Sequence, residues 1–326
     1  MKTPKPLTLG CFLSVPSVQE LAKQSLAEVP ARYIRTDQDS LSTNLSSVSL
    51  IHETFEKITV TRAQHWRLGI GETSLCLKRL GFLSVKSEIQ GFFNLPMDEK
   101  NKFWQEEGDF EGFGQAFVHS EDQKLDWGDK FFIRTLPQHM RKLWLFPNLP
   151  IPLSLTLIKS MEKALQIKTN VMAEWFEDVK QSMRMNYYPP CPQSDHVIGL
   201  TTHSDPGGLT VVLQLNEVDG LQIKKEETWV PIKPLPNAFV VNIGDILEIM
   251  TNGIYRSVEH RATINSSKGR LSIGPIHGLI TTEKPVLFRT VGYKDYVKEF
   301  LSRNLDGKSF LDSMRVGADD EDNNTS

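Results

Sequence analysis

The chain has 326 residues, a mass of 37.0 kDa and a formal net charge of −3, enough for one large domain or two ordinary ones. The near-neutral balance and a pI near 6.3 give no sign of a nucleic-acid partner or an anionic membrane surface. Three scattered cysteines exclude a disulfide framework and a zinc ribbon, which favours a reducing, cytoplasmic setting. We expect neither a membrane span nor a secretion signal.

The N-terminal half contains several stretches with helical spacing of apolar residues. Such spacing predicts amphipathic helices over residues 17–28, 85–95 and 158–166, and a further short helix beginning at Pro96. Residues 111–117 are rich in glycine and aromatic residues, which is typical of an irregular strand or loop beside a pocket. Helices are therefore expected before the region that carries the chemistry.

After about residue 180 the sequence changes to short β-rich runs separated by turn residues. The predicted strands cover 209–215, 221–225, 229–233, 239–243 and 270–273. Regular short strands of this kind favour an antiparallel sandwich or barrel. The predicted fold is mainly β with flanking helices: a double-stranded β-helix (jelly-roll) core with an N-terminal helical region.

A candidate metal site is formed by His203, Asp205 and His260. Residues two apart on an extended segment point to the same side, so His203 and Asp205 can face one ion. A second histidine completes a facial triad that leaves three positions open, as suits Fe(II) in oxygen-activating enzymes. Zinc is the competing metal, but catalytic zinc sites commonly leave one open position.

A candidate anion-binding site follows the third ligand. Arg270 and Ser272 alternate on a predicted strand, so a guanidinium and a hydroxyl can hold one carboxylate between them. Asn186 and Tyr188 precede the first metal ligand and offer an amide and a further hydroxyl. An Arg-x-Ser pair alone is a weak signal; its position after the triad gives it meaning.

These residues lie in longer motifs that resemble a known family. The motifs are 185–193 (MNYYPPCPQ), 203–205 (HSD), 242–245 (NIGD), 255–261 (YRSVEHR) and 270–272 (RLS). Together they closely resemble the plant Fe(II)/2-oxoglutarate-dependent dioxygenases. Within that family the chain looks most like the branch of senescence-related proteins and codeine and thebaine O-demethylases, and the resemblance covers most of the chain.

The resemblance implies the roles of the site residues and the cofactors. His203, Asp205 and His260 would bind Fe(II), while Arg270 and Ser272, assisted by Asn186 and Tyr188, would hold the distal carboxylate of 2-oxoglutarate. The expected reaction consumes O2 and 2-oxoglutarate, yields succinate and carbon dioxide, and has ascorbate as reductant. A methyl-ether substrate would lose its methyl group as formaldehyde. The expected substrate is a small, hydrophobic, ring-containing molecule of plant specialised metabolism, alkaloid-like, and the protein is expected to be a monomer.

The same comparison divides the chain into five regions. We predict an N-terminal arm and helix (1–50), an N-terminal dioxygenase region (51–130) and the Fe(II)/2-oxoglutarate dioxygenase core (178–280). A C-terminal helical region (281–316) and an acidic disordered tail (317–326) follow.

The chain departs from the family pattern in three places, which predicts that some family segments are missing. Residues 55–83 are degenerate, and residues 152–163 match a shortened supporting helix. After Ile273 the chain continues Gly274-Pro275, where proline is expected to end the strand almost at once. A truncated or mis-spliced relative is one interpretation.

Two other classes of protein remain open on the sequence. The first is a catalytically impaired paralogue that retains metal or ligand binding only. The second is a zinc hydrolase on a similar barrel, although the residues near the triad include no obvious general base and the Arg-x-Ser pair would have no role.

Overall fold

The structure is a computed structural model and describes five parts of the chain. These are residues 13–35 (except 25 and 27), 86–145 (except 107, 108, 116, 117, 119 and 143), 181–277 (except 235–238), 288, and 293–315 (except 304 and 305). The predicted helix over 158–166, the acidic tail and the departures over 55–83 and 152–163 lie outside them.

The first helix, α1 (Val18–Lys23), is shorter than predicted. It begins after Ser17, whose hydroxyl accepts a hydrogen bond from the amide of Glu20. It ends because Gln24 adopts an extended conformation, and the amide of Gln24 bonds to the carbonyl of Leu21. The prediction of a helix extending to residue 28 was therefore wrong.

Two further helices match the sequence pattern. Helix α2 covers 86–94 and helix α3 covers Met97–Asn101, directly after Pro96. Buried Asp129, at the start of a later strand, accepts hydrogen bonds from Ser17 and from the amides of Val18 and Gln19. This carboxylate fixes the start of α1 against the β core.

Ten strands in the described ranges form two antiparallel sheets, which confirms the mainly-β prediction. The six-stranded sheet has the order β1-β2-β3-β10-β5-β8 and the four-stranded sheet the order β4-β9-β6-β7. The strands are β1 (Gly112–Gly114), β2 (Asp129–Leu136), β3 (Gln181–Tyr188), β4 (Leu200–His203), β5 (Leu209–Gln214), β6 (Leu221–Lys225), β7 (Thr228–Pro231), β8 (Phe239–Ile243), β9 (His260–Ala262) and β10 (Arg270–His277).

The two faces of the six-stranded sheet have different chemistry because side chains alternate along each strand. One face packs against Phe92 and Phe93 of α2 through Phe131, Met185 and Leu271, among others. The opposite face presents the polar residues of β3 and β10 toward the four-stranded sheet. The functional site lies on this second face.

Strand β10 corrects the expectation that Pro275 would end it. Pairing with β3 is continuous from Arg270 to His277, opposite Tyr188 to Gln181. The carbonyl of Leu271 accepts from the amide of Leu215, so odd-numbered residues of β10 point their backbone groups toward β5. The backbone N–H group that proline lacks would therefore point toward β5 at position 275. The pairing of β10 with β5 is interrupted there, between Ile273 and Ile276.

The C-terminal segment covers the outer edge of β4. The amide of Gly307 donates to the carbonyl of Thr202, and the carbonyl of Gly307 accepts from the amide of Ser204. Helices α4 (Asp245–Met250), α5 (Tyr293–Leu301) and α6 (Ser309–Ser313) each contribute residues to a small cavity beside this contact. None of the helices in the described ranges combines the length and the apolar character that crossing a bilayer requires.

Buried Glu248 ties this segment to the core. Its carboxylate accepts hydrogen bonds from the amide and hydroxyl of Ser257, from Lys308 Nζ at 2.8 Å and from Arg315 at 2.9 Å. Burial alone would raise the pKa of Glu248, but the bonds from Lys308 and Ser257 hold it below its ordinary value of 4.5. Glu248 is therefore ionised at neutral pH.

We expect Glu248→Gln to destabilise the protein by about 1.5–3 kcal/mol at neutral pH, the range for hydrogen bonds to a charged group. Because the folded pKa is depressed, this stabilisation exists above the unfolded pKa near 4.5 and is lost as pH falls through the folded value. Chemical denaturation at pH 7 and at about pH 4 measures the free energy of unfolding of the variant and of the wild type. The difference between the two proteins should be smaller at the lower pH. Glu121→Gln, at an exposed ion pair with Arg32, is the control; an equal loss there would contradict the argument.

Candidate metal and co-substrate site

The three candidate metal ligands come together at the end of the four-stranded sheet. His203 closes β4, Asp205 follows it, and His260 opens β9 as the cross-strand partner of His203. The Nε2 atoms of His203 and His260 lie 3.8 Å and 3.7 Å from Oδ1 of Asp205. One ligand atom from each residue lies within 4.8 Å of the others, and all three residues are buried. The predicted triad is thus assembled in space.

Both imidazoles are oriented by backbone carbonyl groups. Nδ1 of His203 lies 2.7 Å from the carbonyl oxygen of Thr201, and Nδ1 of His260 lies 3.0 Å from that of Val258. A protonated Nδ1 donates to each carbonyl, which leaves the Nε2 lone pair free and directed toward Asp205. This is the arrangement in which two histidines can bind one metal ion.

The protonation states also suit a divalent cation. Burial and the neighbouring His260 lower the pKa of His203 to about 3, so its ring is neutral at neutral pH. Burial would raise the pKa of Asp205, but the two histidines, the neighbouring Thr210 side chain and the hydrogen bond from Asn242 hold it below its ordinary value. Neutral imidazole and ionised carboxylate are the forms that bind metal.

The backbone around Asp205 is held by residues 242–245. Asn242 Nδ2 donates to Oδ2 of Asp205 at 3.3 Å, and the amide of Asp245 donates to the carbonyl of Asp205 at 2.8 Å. A Cβ atom on Gly244 would lie only 2.0 Å from the carbonyl oxygen of Gly207. Glycine at position 244 therefore permits the close approach that fixes the ligand loop.

We expect Gly244→Ala to displace residues 205–207, to cost about 1–3 kcal/mol of stability and to weaken Fe(II) binding. Thermal unfolding with and without Fe(II) measures both effects. The matched control is Gly91→Ala in α2, where a Cβ meets no atom within 4 Å. The Gly91→Ala change should stabilise the protein by about 0.5–1 kcal/mol. If Fe(II) raises the thermal stability of Gly244→Ala as much as that of the wild type, the close contact at Gly244 does not support the metal site.

The candidate anion-binding residues form two cross-strand pairs. Arg270 lies opposite Tyr188, and Ser272 lies opposite Asn186, on the neighbouring strands β10 and β3. All four side chains are buried. A guanidinium, a hydroxyl, a phenol and an amide therefore share one patch of the sheet.

Gln214 on β5 orients the arginine and was missed on the sequence. Its Oε1 accepts from Nε and Nη2 of Arg270 at 3.3 Å and 3.1 Å, and the guanidinium lies 5.3 Å from the centre of the Tyr188 ring. The available signal was a polar residue at the end of an otherwise apolar strand. Its partner lies 56 residues away, so only the strand order could identify it.

All seven predicted site residues line one cavity between the two sheets. The cavity encloses about 520 Å³, counting the space at its open mouth. The triad occupies one part of its wall and Arg270 with Ser272 another; Thr210 and Val212 of β5 also contribute. A single small molecule can therefore contact the metal site and the guanidinium together.

A facial triad that shares its cavity with a buried arginine, on two antiparallel β sheets, defines the class of non-haem iron oxygenases. The 2OG-Fe(II) oxygenase superfamily matches residues 179–274, and the family described as non-haem dioxygenase in morphine synthesis, N-terminal, matches residues 82–149. The chain belongs to the plant 2OG-Fe(II) oxygenases and is an enzyme of the 2-oxoglutarate-dependent dioxygenase family.

Characterised relatives and a solved structure agree with this assignment. Codeine O-demethylase of Papaver somniferum is 50% identical over 361 aligned positions, covering 97% of this chain and 100% of the relative. Thebaine 6-O-demethylase of the same plant is 51% identical over 364 positions, with the same coverage. The crystal structure of JOX2 in complex with 2OG, Fe and JA has a TM-score of 0.73 and 27% identity, covering 93% of this chain and 98% of JOX2.

Proposed function

We propose that this protein is an Fe(II)- and 2-oxoglutarate-dependent oxygenase of plant specialised metabolism that hydroxylates or O-demethylates a small, hydrophobic, ring-containing, alkaloid-like substrate. The observation that carries the proposal is the single cavity joining the triad to Arg270 and Ser272. The identity of about half to two O-demethylases over nearly the whole chain supports O-demethylation as the outcome.

In this proposal His203, Asp205 and His260 hold the iron. The donor set fits Fe(II): two Nε2 atoms and one carboxylate oxygen converge, while the Nδ1 atoms are occupied by carbonyl groups. When bound, the iron would supply oxygen activation coupled to the conversion of 2-oxoglutarate into succinate and carbon dioxide. Asp205 also neutralises part of the metal charge inside a buried site.

The other end of the cavity binds the co-substrate. Arg270 would hold the distal carboxylate of 2-oxoglutarate in two-point contact, with Ser272 and Tyr188 donating hydroxyl hydrogen bonds and Asn186 beside them. Gln214 keeps the guanidinium plane in place. Because this end of the cavity is buried, the ion pair is protected from screening by water.

The oxidation outcome follows from the substrate. Hydroxylation of a methyl ether gives a hemiacetal that breaks down into formaldehyde and a free hydroxyl group, whereas other C–H bonds would give a stable alcohol. We further propose ascorbate as reductant, a cytoplasmic monomer, and the five-region division described above, with the catalytic core over 178–280.

An impaired paralogue remains the second candidate, for one specific reason. The alignment with codeine O-demethylase extends over 361 positions, more than the 326 residues of this chain, so it includes positions that this chain lacks. This supports the proposal that family segments are missing. The complete triad and the continuous pairing of β10 to His277 favour the active enzyme.

Succinate and formaldehyde release across a panel of methoxylated alkaloids and flavonoids tests the proposal. We expect substrate-dependent succinate with at least one compound, and formaldehyde in equal amount if that compound is demethylated. Protein that folds cooperatively and binds Fe(II) but never consumes 2-oxoglutarate would instead identify the impaired paralogue.

A further inference from the structure

Arg184 is a cavity residue to which none of the roles above applies. It lies on β3, two residues before Asn186 and four before Tyr188, so its side chain points to the same face of the sheet. It lines the same cavity as the triad and Arg270. Its cross-strand neighbour on β10 is Gly274, which has no side chain, so β10 places no side chain beside Arg184 and the next groups across the sheet are the methyl groups of Thr210 and Val212.

The guanidinium of Arg184 is only partly used by the protein. Nε donates to Oδ1 of Asn186 at 2.7 Å. Nη2 is buried and has no hydrogen-bond partner among the described residues. A buried donor without a partner is unfavourable, so a ligand that accepts from it gains in affinity.

The position of Arg184 separates it from the anchor of the co-substrate. Four residues along a strand correspond to about 13 Å, so the backbone of Arg184 lies well away from the row formed by Tyr188 and Arg270, although its guanidinium extends as far as Asn186. It lies toward the metal end instead, where its charge contributes to the lowered pKa of His203. Asp205 is the only carboxylate among the described residues that line the cavity; outside it, the charge of Arg184 also helps to lower the pKa of buried Asp126.

We propose that Nη2 of Arg184 donates a hydrogen bond to an oxygen acceptor of the oxidised substrate: a phenol or phenolate, carbonyl or ether oxygen on its ring system. This inference rests on the proposed function and specifies its substrate class. The contact anchors the ring beside the metal end of the cavity, while Arg270 serves the co-substrate. Arg184 is thus a positioning residue that selects oxygenated rings.

The test compares ring binding in the wild type, Arg184→Met and Arg184→Lys, without oxygen and with Fe(II) and 2-oxoglutarate bound. The probes are pairs of methoxylated phenolic and alkaloid compounds that differ by one phenol or carbonyl oxygen. We expect the wild type to prefer the oxygen-bearing member by about tenfold or more. Arg184→Met should lose this preference, and Arg184→Lys should keep part of it.

Two further measurements separate this proposal from its alternatives. Arg184→Met should weaken binding of the oxygen-bearing ring more than binding of 2-oxoglutarate, because Arg184 reaches the co-substrate anchor only through Asn186. Arg32→Met, at a surface ion pair, should leave both affinities unchanged. A parallel loss of 2-oxoglutarate affinity, a wild type without oxygen preference, or no binding of any probe would overturn the inference. The test measures binding and needs no turnover. A wild type that shows the binding preference but no catalysis would therefore refute the proposed enzyme activity and leave the role of Arg184 intact.

Discussion

Asp205→Ala is expected to remove stable Fe(II) binding and to lower turnover by at least about 100-fold. Loss of residues that merely support metal ligands already costs up to about 100-fold in metal affinity, so loss of the one anionic ligand should cost more. The variant leaves two neutral nitrogens, and the ion would lose the carboxylate that neutralises its charge. Asn242 would also lose its acceptor.

Equilibrium dialysis of Fe(II) under anaerobic conditions measures this loss, with succinate release as the second readout. The wild type should also gain thermal stability with Fe(II) concentration, and Asp205→Ala should not. Asp195→Ala is the control, because Asp195 is an exposed carboxylate in the short helix Ser194–His196. If Asp205→Ala binds Fe(II) with an affinity within a few-fold of that of the wild type, Asp205 is not a metal ligand.

Arg270→Gln should weaken 2-oxoglutarate binding by about 30-fold or more, since truncating one partner of a buried, hydrogen-bonded charge pair costs about 2–5 kcal/mol. Glutamine keeps a polar side chain but lacks the charge and the two-pronged donor geometry. Gln214 and the Tyr188 ring hold the guanidinium in its orientation, so the native geometry is prepared before the ligand arrives.

Titration of 2-oxoglutarate into the anaerobic Fe(II) protein provides the measurement, through the absorption of the metal complex. Arg270→Lys should lie between the wild type and Arg270→Gln, because it keeps the charge but not the two-point contact. Fe(II) affinity should be unchanged in both variants. Equal 2-oxoglutarate affinity in the wild type and Arg270→Gln would show that the co-substrate binds elsewhere.

The site was predictable where its residues follow a local rule. The period of two along a strand is enough to place His203 beside Asp205, and Arg270 beside Ser272. That Ser272 faces Asn186 across β3 and β10 depends on strand register, which local spacing does not determine. Motif resemblance supplied the parts of the site that spacing could not.

The errors and omissions have tertiary causes. Helix α1 ends at Lys23 although its apolar pattern continues: beyond the extended Gln24, Leu26 packs against the core and the amide of Val29 donates to the side chain of Gln193. Pro275 is tolerated within β10 because its missing N–H group would point toward β5, where the strand pairing is interrupted, and not toward β3. The roles of Gln214 and Arg184 depend on the tertiary structure: Gln214 bonds to Arg270, 56 residues away, and Arg184 lines a cavity with residues distant in sequence.

The contact of Gly307 with β4 has a consequence for the order in which the protein matures. All three metal ligands have been synthesised by residue 260, yet the edge at the end of β4, from Thr202 to Ser204, gains its backbone partner only when residue 307 has been added. A nascent chain between these two points carries His203 on a strand with an open edge, the feature that promotes aggregation. Metal loading should therefore follow docking of the C-terminal segment, and fragments cleaved between 260 and 307 should precipitate rather than retain iron.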